Sequence, residues 1–155
     1  MDETLYTDPS TVSIWPYVIY GVLAVIAVIA LFVFLYWLKK RLMRPELVGM
    51  TREQIAARWI EIRKTSQMGL MGAKLAIVEA DTLLDSGLKS MMMPGETLGE
   101  RLKVACYKYP KLQNVWWAHK LRNSIAHEST FQISTREASR AIDEFEKALK
   151  ILNVL

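Results

Sequence analysis

Thirty consecutive residues, Pro9 to Leu38, carry no charge, and from Val18 to Leu38 every residue except Gly21 is apolar or aromatic. At ~1.5 Å of rise per residue, about 20 such residues cross a hydrocarbon core of about 30 Å. The pattern predicts a single transmembrane helix over 14–38, preceded by a short tail at 1–13. Trp15, Tyr17 and Tyr20 mark one edge and Phe34, Tyr36 and Trp37 the other, as amphipathic rings do at headgroup depth. A cleaved signal peptide would carry a basic n-region, a shorter apolar stretch and a small-residue cleavage site, and none of these is seen.

Beyond residue 50 the apolar positions fall at helical rather than alternating spacing. Ile55, Trp59 and Ile62 form one set; Ala73, Ile77, Ala80, Leu84 and Leu88 another; Leu98, Leu102 and Cys106 a third. Ala138, Ala141, Ile142, Phe145, Leu149 and Leu152 close the chain. Three capping boxes predict where helices start: Thr51 with Gln54, Thr97 with Glu100, and Ser134 with Glu137. A helix over about 68–86 should end at Gly87 as its C-terminal cap, and another lies between Pro110 and His127. The expected fold is all-α, one N-terminal transmembrane helix followed by a four- to five-helix bundle with short loops over 51–155. Pro45 and Gly49 mark a hinge within a linker at 39–50. Met91, Met92 and Met93 lie in a loop, where they either offer an adaptable surface or fill gaps in the core.

Charge adds an orientation. The tail before the span holds Asp2, Glu3 and Asp8 and no Lys or Arg, whereas Lys39, Lys40, Arg41 and Arg44 follow the span at once. Positive charge is retained on the cytoplasmic side, which places the tail outside and the bundle in the cytoplasm of a single-pass membrane protein. All 20 basic and 13 of the 16 acidic residues lie after the span, a balance of +7. Four of those charges form the juxtamembrane cluster, which suits anionic lipid headgroups of the bilayer. The remaining +3 is too mild for field-driven nucleic-acid binding, so any RNA contact would be local. The single cysteine, Cys106, excludes an intrachain disulfide and a thiolate zinc site, and two histidines do not assemble an ordinary metal centre. No metal and no cofactor is implied.

The chemistry concentrates in the segment from Trp116 to His127. At about 100° per residue, with His119 as origin, Asn123 falls near 40°, His127 near 80° and Arg122 near −60°. Trp117, Leu121 and Ile125 lie on the opposite side, so one face serves the core while the other gathers two imidazoles, a guanidinium and a carboxamide. Arg122 and His127 are not quite aligned; a shared target requires the reach of the Arg or a loosened last turn. Asp81 lies at the edge of its helix's apolar face, either solvated or paired with a base such as Arg122. Asp85, one turn on, reads as surface, as do Arg136, Arg140, Glu144 and Lys147 on the last helix. Trp116, on the His119 side, is placed to stack on a base or to form a dimer contact.

The string Arg122-Asn-Ser-Ile-Ala-His127 resembles the Arg-x4-His motif of the HEPN superfamily (higher eukaryotes and prokaryotes nucleotide-binding), over approximately 51–152. Asn123, directly after the Arg, is typical of that motif. The resemblance implies a compact helical bundle, often a metal-independent endoribonuclease, that dimerises with its motifs face to face. It further implies that His127 moves the 2′-hydroxyl or leaving-group proton, that Arg122 holds the scissile phosphate, and that Asn123 orients one of them. The product would end in a 2′,3′-cyclic phosphate. His119, Trp116 and Asp81 would be binding residues, with RNA or a nucleotide as ligand and a homodimer formed through the Arg122/His127 face. Glu128 and Ser129 follow His127, so the Tyr two positions on that marks one subgroup is missing. Because many members are noncatalytic, an interaction or nucleotide-binding module on the same membrane anchor is the alternative expectation.

Overall fold

The computed structural model describes residues 15–42, 47–128 and 130–155. The tail at 1–14, Arg44 and Pro45 lie outside the described residues, as do the side chains of Lys40 and Arg41. The chain divides into two compact units, 1–43 and 44–155. The first contains α1 (Trp15–Leu42), apolar and long enough over Trp15–Lys39 to cross a membrane. Its 25 apolar-window residues correspond to about 38 Å, more than a bilayer's hydrocarbon core.

The second unit is a bundle of α2 (Arg52–Ser66), α3 (Gly69–Ser90), α4 (Leu98–Lys108), α5 (Val115–His127) and α6 (Thr135–Ile151). A single 3-10 turn, Pro110–Leu112, precedes α5 and occupies the first part of the segment read as one helix. No strand occurs among the described residues. α3 is the central helix and packs against α2, α4, α5 and α6. Its Ile77, Ala80, Leu84 and Leu88 are fully buried, against Ile55 and Ile62 of α2 and Phe145 and Leu149 of α6 in one core. These are the residues that recur at three- and four-residue spacing, and Leu112, Ile133 and Val154 from outside the long helices complete the core.

Two of the three capping boxes close as expected, at Thr51/Gln54 and Ser134/Glu137. At α4 only half of the box forms. Thr97 accepts the Glu100 N–H, but the Glu100 carboxylate takes the N–H of Glu96, one residue further out. α3 does not end at Gly87. The helix runs on to Ser90 and closes with Met92 in the left-handed region (φ 57), its N–H on Lys89 and that of Met93 on Leu88. Those two bonds make a Schellman closure without glycine. Gly87 stays helical and buried because α6 and the chain end pack over it, with Leu149 and Val154 close by. Of the three methionines, Met91 and Met93 pack against the core and Met92 is exposed.

The hinge also differs from a free linker at its described end. The Val48 N–H donates to the Ser90 carbonyl (2.7 Å), the Met50 N–H to Ser90 Oγ (3.3 Å), and Leu47 and Met50 pack on the core. These bonds satisfy the terminal carbonyl and hydroxyl of α3 and tie the entering chain to that helix end.

Candidate functional site

α3 and α5 cross so that Asp81 faces the polar side of α5. Asp81 continues the row Ala73, Ile77 by one further helical turn, and is therefore drawn into the interior at 4 % exposure. A buried carboxylate needs donors, and α5 supplies two of them one turn apart. His119 Nδ1 lies 2.7 Å from Asp81 Oδ1, and Arg122 Nε lies 3.2 Å from Asp81 Oδ2. The pairing of Asp81 with Arg122 was one of the two sequence expectations; the His119 contact was not foreseen.

Because a carboxylate only accepts, His119 Nδ1 carries the proton and Nε2 is the acceptor of the neutral ring. The Asn123 amide Nδ2 lies 3.4 Å from that Nε2, and the Asn123 oxygen accepts from Arg122 Nη1 at 3.2 Å. Asp81, His119, Asn123 and Arg122 thus form a closed ring of four side chains. Each member fixes the next: the carboxylate sets the tautomer, the tautomer sets the amide, and the amide sets the guanidinium. The Arg122 Nε–H is buried but not aligned for a hydrogen bond, so its contact with Asp81 is one of charge. Trp116 meets the His119 ring edge-on at 6.0 Å, with the buried Cys106 thiol beside its indole. Burial raises that thiol above its ordinary value, with the Trp116 indole opposing. Trp116 is thereby a wall of the ring rather than a free platform.

The ring opens on a cleft of about 400 Å3 whose far side is the start of α4, with Thr97, Leu98 and Gly99. The cap at Thr97 serves Glu100, which leaves the Leu98 and Gly99 N–H groups without an intrahelical acceptor. At the rim, Asp85 accepts from the buried Arg101 (2.7 Å) and pairs with Lys89 (2.8 Å). Asp85 is therefore a tethered carboxylate, not the solvated surface group expected. Arg101 also donates to the carbonyls of Gly95 and Glu96 and so anchors the loop into α4. A larger groove of about 520 Å3 separates α2 from α3. It is lined by Met50, Ala57, Val78 and Leu83, and its titratable groups, Arg58 paired with Glu61 and Glu79, are together more exposed than those of the ring.

His127 stands apart. It is the last residue of α5, exposed, and takes part in none of the ring's hydrogen bonds. The helix is intact to that point, with the Glu128 N–H on the Ser124 carbonyl, so no loosened turn brings His127 toward Arg122. The structure accordingly gathers Asp81, Trp116, His119, Arg122 and Asn123 and leaves His127 outside the group. On α6, Arg140 is not merely solvated, since its guanidinium stacks 4.5 Å above the Trp117 ring. Glu144 is half-buried and paired with Lys147.

Thr97, Gly99 and Arg101 were missed as neighbours of the site. Their contribution depends on how α4 packs, and helical spacing within one segment carries no signal of that. No group of three or more His, Cys, Asp or Glu suited to a metal ion occurs among the described residues. No protein-family model, curated protein sequence or solved structure matches the chain.

Proposed function

We propose that this chain is a membrane-anchored, HEPN-like RNA-binding domain that cleaves RNA without a metal and leaves 2′,3′-cyclic phosphate ends. The observation that supports it is the Asp81–His119–Asn123–Arg122 ring, which holds a guanidinium and an imidazole at one cleft. That pairing suits in-line attack of a 2′-hydroxyl, with Arg122 stabilising charge on the phosphorane and an imidazole of the same helix moving the proton. The resemblance names His127 for the proton and Asn123 as its orienting neighbour. In this reading the bundle lies in the cytoplasm, with the basic residues after the span against anionic headgroups, and two copies pair through the Arg122/His127 face.

The test is cleavage of a single-stranded RNA by the full chain in maltoside micelles with chelator present. Cleavage with cyclic phosphate ends, lost in Arg122→Ala, is expected. Equal cleavage by the two proteins, or none by either, removes the enzyme.

A second reading draws on the same ring. Each of its members is engaged by another, which suits a structural lock in a noncatalytic interaction module. Arg122→Ala would then lower stability or change the oligomeric state and leave RNA untouched.

A further inference from the structure

We propose that the cleft between the start of α4 and α5 is the phosphodiester subsite of this domain. Within it His119, not His127, is the imidazole that meets the ligand, and Gly99 is the position that keeps the approach open. The ligand class rests on the function proposed above, whereas the location and the choice of histidine rest on geometry alone.

His119 is the fixed imidazole. Its Nδ1 is held by a buried carboxylate at 2.7 Å, so its Nε2 is the atom left for chemistry. The Asn123 amide reaches Nε2 at only 3.4 Å, a long bond that a ligand hydroxyl can replace with a shorter one. Facing Nε2 across the cleft is a residue without a side chain. A Cβ on Gly99 would stand 3.9 Å from Nε2 and 3.9 Å from Trp116 Cη2, and any larger group would fill the space where a ligand approaches.

Arg122 engages Asp81 through Nε and Asn123 through Nη1, and its Nη2 makes no hydrogen bond to a described residue. With its side chain 27 % exposed, that nitrogen is available to a phosphate oxygen. The two carboxylates bordering the cleft do not repel an anion strongly, because Asp81 is paired with His119 and Arg122 and Asp85 with Arg101 and Lys89. His127 lies eight residues from His119, about 12 Å along the helix axis, and shares none of these contacts.

In RNA the 2′-hydroxyl proton passes to His119 Nε2 while the 2′ oxygen bonds to phosphorus. The bond from phosphorus to the 5′ oxygen breaks, that oxygen leaves with a proton from water, and the hydroxide so formed takes the proton back from His119 Nε2. Asp81 acts as the positioning residue for the imidazole, which becomes cationic beside it.

The test uses the full chain in maltoside micelles, a detergent without phosphate, with its histidines 15N-labelled. It is titrated with a uridine dinucleotide carrying a 2′-O-methyl group, which binds but does not react. A saturable shift of the His119 ring signals with His127 unmoved, lost in Gly99→Val and weakened in Gly99→Ala, is the expected result. Both Gly99 variants are checked by circular dichroism, and the alanine variant serves if valine perturbs the fold. A shift of His127 alone, no shift of either ring, or an unchanged titration in Gly99→Ala overturns the assignment.

RNA cleavage by His119→Ala and His127→Ala separates this from the function itself. Binding at His119 without cleavage by the wild type leaves the subsite standing and removes the ribonuclease. Cleavage that survives His119→Ala and is lost in His127→Ala leaves the ribonuclease standing and removes the assignment.

Discussion

Asp81 bears on both the site and the stability of the bundle. It is buried with both oxygens engaged by α5, so truncation strands a guanidinium and removes the bond that sets the His119 tautomer. Breaking a buried charged pair by removing one partner costs about 3 kcal/mol or more. Asp81→Ala should lower the urea unfolding free energy by that order, whereas Thr82→Ala, on the exposed face of the same turn, should leave it near the wild type. Asp85 makes a pH prediction of its own. Burial pushes its carboxyl up, but hydrogen bonds from Arg101 and Lys89 outweigh that and hold it below its ordinary value of 3.8. A carboxylate with a lowered folded-state value stabilises the fold above the unfolded-state value and loses that contribution as pH falls through the folded one. Urea midpoints measured downward from about pH 4 should therefore fall less steeply in Asp85→Asn than in the wild type, from a lower starting stability.

Between elements, the close approaches are made at glycines, and the same substitution should act oppositely at two of them. A Cβ on Gly72, in the first turn of α3, would run into the Thr65 carbonyl oxygen and come within 2.8 Å of Met68 Cβ. The α2–α3 turn cannot yield there without moving backbone, so Gly72→Ala should destabilise by about 1–3 kcal/mol. A Cβ on Gly87 would meet Val154 Cγ2 at 3.6 Å and Leu149 Cδ2 at 3.7 Å, ordinary contact distances. There alanine keeps the helix and removes glycine's excess freedom in the unfolded chain, so Gly87→Ala should stabilise by about 0.5–1 kcal/mol. Thermal unfolding of the two variants, read by circular dichroism, gives both signs in one experiment. The Gly87 case also explains why the expected helix end was wrong. A glycine late in an apolar stripe reads as a cap, but here packing from α6 keeps it helical and Met92 takes the left-handed position instead.

For the whole molecule, the division at residue 43 separates an apolar helix from a bundle with its own core. The core is built entirely from residues between Ile55 and Val154, so its stability should not depend on α1. Removing residues 1–43 should move the protein from the membrane pellet to the soluble fraction while its helical spectrum and cooperative urea transition persist. A truncated chain that aggregates or loses its transition would show that the bundle needs its anchor. How much of this architecture was legible from the chain differs between its parts. The apolar N-terminal helix, the all-α bundle and most core positions follow from residue spacing, because burial of one helical stripe is a property of the local sequence, whereas Leu112, Val115, Ile133 and Val154 join the core only through tertiary packing. The start of α4 was legible too, through Thr97, but the placement of that helix beside α5 was not.

The amino-acid order by itself determined an apolar helix of membrane-crossing length, an all-α bundle behind it, and a polar face on α5 bearing His119, Arg122, Asn123 and His127. Helical periodicity and capping chemistry act over a few residues, so they can be read without coordinates. Only the tertiary structure decided which members of that face work together. Asp81 lies 38 residues before His119, and its burial between α3 and α5 chooses His119 and Arg122 as partners while leaving His127 at an exposed helix end. A buried carboxylate must be matched by donors across a helix crossing, and the geometry of that crossing is set by the packing of the whole core.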